Sequence, residues 1–162
     1  MQLILFYIFL MALQGFLAVL VEPLPAPDMF LIAALTLLWR LSAWRIVLVA
    51  YGIGLLQDLT GHGQLGLHAL GLSAGVLVAS LVISQISQSG MLERLLVVLA
   101  ASLGKWFIFL LLILWLAKRD PLGEILRLAP LEIFFTLLIS MIILPIADEL
   151  LERNTFLRKE LL

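Results

Sequence analysis

Apolar residues come in long runs along this chain, separated by short polar or proline-containing breaks. A helix needs roughly 20 apolar residues, within a range of about 17–25, to cross a bilayer core. Residues 3–21 form a first such run, closed by "EPLPAP", whose three prolines cannot continue a helix. Residues 67–84 form another and end in "SQISQSG", and residues 95–117 a third that ends at "KRDPLG". Residues 131–146 make a looser run, opening at Pro130, a first-turn position that suits proline.

Residues 28–58 fit this scheme less easily. One helix over that length would run about 46 Å at 1.5 Å per residue, too long for a core of roughly 30 Å. Two helices over 28–40 and 44–58, hinged at "RLSAWR", are short, with Arg40 and Arg45 snorkelling to the interface. The pattern predicts six spans on that division, and five plus a re-entrant piece as the alternative. The segment 148–162, "DELLERNTFLRKELL", spaces leucines among mixed charges and reads as a short amphipathic tail.

Composition turns this pattern into a class. The 162 residues are 64% hydrophobic and 13% charged, with a mean hydropathy of +1.19. Soluble domains average roughly 45–50% apolar and about 25% charged. The expectation is an all-α integral membrane protein forming one domain over residues 1–162. The N-terminal run lacks the basic start and A-x-A site of a cleaved signal peptide and is read as a retained span.

Charge adds an orientation. With the N-terminus inside and six spans, Arg40, Arg45, Arg94, Arg153, Arg158 and Lys159 are cytoplasmic, against Lys118, Arg119 and Arg127 outside. Basic residues favour the cytoplasmic side, so both termini are expected there. A net charge of −1 gives no basic face for nucleic acid. The absence of cysteine excludes disulfides, a thiolate nucleophile and Cys-ligated metal within these residues.

The candidate chemistry concentrates in "YGIGLLQDLTGHGQLGLHALGLS". Asp58 precedes a glycine-rich turn, where it is either a hydrated interfacial acid or an acceptor for the amides of the turn and the next helix. Gly52, Gly54, Gly61, Gly63, Gly66, Gly71 and Gly75 recur over this stretch and just past it, and Gly71-x-x-x-Gly75 has the spacing that lets membrane helices approach. His62 and His68 match no zinc spacing, and His68 is expected to hydrogen-bond across the helix packing. Lys105 and Glu132 are intramembrane charges. A direct Lys105–Glu132 pair is disfavoured, because Lys105 lies mid-span whereas Glu132 opens its helix. No nucleophile–base set, phosphate loop or paired-carboxylate spacing is visible, so neither an enzyme nor a cofactor site is expected.

The run "GLLQDLTGHGQLGLHALGLSAGVLVA" resembles the signature of the MreD family of rod-shape-determining membrane proteins, through Gly54, Asp58, Gly61, Leu65, Gly66 and Leu70. The stretch "APLEIFFTLLISMIILPIADEL", with Pro130, Glu132 and Pro145, is similar to that family's last span. The resemblance implies a compact six-helix bundle in the bacterial inner membrane, similar to the substrate-binding subunit of energy-coupling-factor transporters. It also implies a non-enzymatic scaffold of the peptidoglycan-elongating complex that sets cell shape. The implied partners are MreC, bound directly, and RodA, a class B penicillin-binding transpeptidase, RodZ and MreB in the same assembly. Two other classes stand beside it: a vitamin-type transporter subunit, which would retain a ligand, and a lipid-modifying enzyme, which lacks an acid–base constellation.

Overall fold

The computed structural model describes residues 2–60, 65–86, 90–116 and 122–160, with side chains described over 5–59, 65–86, 90–115, 123 and 125–152. Among them the chain is all-helical and without strands. The helices are α1 (Gln2–Leu20), α2 (Met29–Thr36), α3 (Ala43–Thr60), α4 (Leu67–Ile83), α5 (Met91–Leu116) and α6 (Leu122–Glu160). Two stretches, Met91–Trp115 and Ile125–Glu152, are long and apolar enough to cross a membrane, and Leu5–Leu20 and Leu67–Ile83 are shorter apolar helices.

The core is built around α2, which touches all five other helices. Every residue from Met29 to Thr36 is buried. Leu31, Ile32 and Leu35 pack with Leu10 of α1, Ile46 and Ala50 of α3, Leu72 and Val76 of α4, Val98 and Ala101 of α5, and Leu144 of α6. The outside of the bundle is apolar too, with Phe16, Leu48, Leu81, Phe107 and Trp115 exposed. Helices apolar on all sides are those of a large interior or a membrane.

The helix expected over 28–40 is an eight-residue α-helix followed by a tighter turn. Leu37, Leu38 and Arg40 donate to the carbonyls three residues back, at Ala34, Leu35 and Leu37, the pattern of a 3₁₀ turn. Eight residues cover only about 12 Å. The loop before α2 makes up part of the difference by dipping into the bundle. Met29 N–H donates to Gln14 Oε1 at 2.7 Å, and Gln14 lies six residues before the end of α1, or about 9 Å along the axis.

The last helix departs further from expectation. α6 begins at Leu122 rather than near residue 131, and it encloses both Pro130 and Pro145. Pro130 is therefore interior, and the two prolines leave the carbonyls of Leu126 and Met141 without their usual helical donor. The segment from residue 148 to Glu160, read as a short amphipathic tail, is helical and continuous with α6.

Candidate functional site

Three glycines set how closely α3, α4 and α5 approach. A Cβ on Gly54 would stand 2.5 Å from Ala69 Cα, and one on Gly75 would stand 2.6 Å from the Ala101 carbonyl oxygen. A Cβ on Gly71 would meet the Phe109 ring at 2.7 Å. α4 is thus held against α3 on one side and α5 on the other by the absence of side chains. Gly52 differs, since a Cβ there meets nothing within 4 Å. Gly66 serves conformation instead, with φ of 94° at the N-cap of α4. Gly61, His62 and Gly63 lie outside the described residues.

Asp58, in the last turn of α3, closes the same hairpin. Its Oδ2 accepts from the N–H of Gly66 at 2.8 Å and of Ala69 at 3.2 Å, while Oδ1 accepts from His68 N–H at 3.0 Å. The His68 ring completes the set, with Nδ1 at 2.8 Å from Oδ1. These are the otherwise unbonded amides of the first turn of α4, where negative charge is favoured. Of the two readings of Asp58, the geometry is that of the acceptor, with a side chain sealed from solvent. His68 bonds across the α3–α4 packing and sets its ring edge-on to Phe109, centroids 5.0 Å apart.

Phe109 leads to a second polar cluster. Lys105 Nζ donates to Asp28 Oδ2 at 2.6 Å and to Glu132 Oε1 at 2.7 Å. It also lies over the rings of Phe109 and Trp106 at 5.5 and 5.8 Å. The disfavoured Lys105–Glu132 pair is therefore present. Because α6 starts at Leu122, Glu132 lies ten residues inside it, about 15 Å from its beginning. Lys105 lies eleven residues before the end of α5, about 16 Å. The two side chains meet because Glu132 lies well inside α6 and not at its opening.

No known family model, curated protein or solved structure matches this chain.

Asp28 is the residue that the sequence did not single out. It caps α2, with Oδ1 accepting from Leu31 N–H at 2.9 Å, while its own N–H donates to Thr136 Oγ1 at 2.9 Å. Thr136 in turn donates to the Glu132 carbonyl at 2.7 Å. One residue thus joins α2 to both α5 and α6. The available signal was an Asp immediately before an apolar run, the ordinary mark of a helix N-cap, but that mark does not reveal a partner 77 residues away.

Among the described residues no cluster of three or more His, Cys, Asp or Glu side chains has the arrangement to hold a metal. Elsewhere α5 and α6 part to leave an apolar groove of about 440 Å³, lined by residues including Leu92, Leu96, Phe134 and Leu138.

Proposed function

We propose that this chain is a non-enzymatic scaffold of the bacterial wall-elongation machinery, in the manner its resemblance to the MreD family implies. On this reading it sits in the inner membrane, crosses it several times and keeps both termini in the cytoplasm. Six crossings bring the termini to one side, the second being made by the dipping loop, α2 and its 3₁₀ turn. An MreC-type single-span protein is the direct partner. RodA, the class B penicillin-binding transpeptidase, RodZ and MreB belong to the same assembly.

The observation that carries this reading is the α3–α4 hairpin. The residues that bear the family resemblance, Gly54, Asp58 and Gly66, are the ones that fix α4 against α3. The accepting capacity of Asp58 is directed at backbone amides and the His68 ring within the chain, which suits a rigid docking shape. Lipid gives membrane helices no hydrophobic reason to associate, so a partner's span is held by packing and polar contacts. A pre-set apolar bundle supplies the first of these.

The test is depletion of the chain in the bacterium that encodes it. Rod-shaped cells rounding up, with shape restored by the wild-type chain, is the expected result. Unchanged shape on full depletion contradicts the reading.

A further inference from the structure

The charges gathered near Phe109 do not balance. One ammonium, Lys105, is bonded to two carboxylates, Asp28 and Glu132, while Asp58 nearby is bonded to the His68 ring and to backbone amides. Even with His68 cationic, acid exceeds base. A charge removed from water is costly unless another charge meets it, and Lys105 is shared between two acids, so an ionised Glu132 has room for a cation from outside the chain.

The three acids differ in what they can still accept. Asp58 has donors on both oxygens, and Asp28 is bonded on both oxygens and sealed at 2% exposure. Among the described residues Glu132 is bonded through Oε1 alone, to Lys105, and its side chain is 18% exposed. Asp28 at the head of α2 and His68 on α4 are the other charged or titratable groups that act on it. Its surroundings on α6 are apolar, with Phe134 and Leu138 exposed on the same helix.

We propose that Glu132 receives a lysine or arginine side chain from a membrane-spanning segment of the partner. The proposal rests on the scaffold reading and adds the chemistry of its contact. Charge complementarity asks for a cation, and depth selects its source. Glu132 is bonded to Lys105, which lies eleven residues, about 16 Å, from the end of α5, on the scale of half a core of roughly 30 Å. A lipid ammonium stays at the surface, whereas a long basic side chain on a crossing helix reaches that depth. An acid placed there is costly unless it is met by charge, and polar contacts of this kind are among those through which membrane helices associate.

The experiment co-expresses the chain with the MreC-type protein of the same bacterium and captures the complex in mild detergent through a tag on this chain. Wild type is compared with Glu132→Gln, and the thermal midpoint of each captured protein is recorded. The expected result is a loss of capture of about tenfold or more in Glu132→Gln, the scale of a buried charge contact. A second arm pairs Glu132→Arg with partner variants in which each Lys or Arg of the span is changed to Glu. Restored capture for one of these supports the contact even where the single variant is less stable. Equal capture by wild type and Glu132→Gln, or rescue by none, overturns the proposal, since a proton or a lipid ammonium then supplies the charge. Failure of wild type to capture the partner overturns the scaffold reading itself, and this proposal with it.

Discussion

Lys105 Nζ stands 2.6 Å from Asp28 Oδ2, an ion pair sealed inside the bundle with side chains 4% and 2% exposed. It ties the head of the shortest helix to the middle of α5. A buried pair of this kind is weak evidence for net stability, because desolvation offsets the attraction, yet breaking it strands the surviving charge.

Lys105→Met is therefore expected to destabilise the protein by about 3–5 kcal/mol, leaving Asp28 and Glu132 facing each other without a cation. The triple variant Lys105→Met, Asp28→Asn, Glu132→Gln is expected to recover a good part of that loss. Thermal midpoints in detergent of known composition check both. A triple variant no better than Lys105→Met means the charges are not what the single variant disturbs.

The Arg94–Asp148 pair, at 2.7 Å, is the contrasting case. Its side chains are 37% and 23% exposed, and such pairs contribute about 0–1 kcal/mol. Arg94→Ala should shift the midpoint far less than Lys105→Met. Equal shifts would place structural weight on the α5–α6 contact at that end.

Two glycines two residues apart on α3 should respond differently. Gly54→Ala forces a Cβ onto the Ala69 backbone and is expected to destabilise by about 1–3 kcal/mol, as overpacking does. Gly52→Ala meets open space within the same helix and is expected to be neutral or stabilising by up to about 1 kcal/mol. Paired melting curves decide, and destabilisation of both to the same degree contradicts the packing account.

Asp58→Asn replaces one of two acceptor oxygens with a donor. At least one of the bonds from Gly66, His68 and Ala69 is then lost, and an unsatisfied buried N–H costs about 1–3 kcal/mol. Faster amide exchange should appear at residues 66–69 before it appears in α5. Uniform exchange change across the bundle, or none, argues against a local lock.

The hairpin was the most legible part of the sequence. Its information is local, since Asp58 and His68 are only ten residues apart and the glycine spacing follows helix geometry. The cluster around Lys105 was hidden for two reasons. Pro130 signalled a helix start, yet α6 begins at Leu122 and continues through it, and this places Glu132 inside the helix rather than at its opening. Asp28 carried an ordinary capping signal, and nothing local connects it with α5 or α6. The length of α2 was misjudged because continuous hydrophobicity does not distinguish a lipid-facing span from a short helix buried on every side.

The scaffold reading is tested most directly by capturing the tagged protein from its native membrane in mild detergent. Bound proteins and small molecules are then identified by mass spectrometry. Recovery of an MreC-type single-span protein, with RodA or the transpeptidase, is the predicted result. Recovery of ATPase subunits or a stoichiometric vitamin, without any wall-elongation protein, would contradict it.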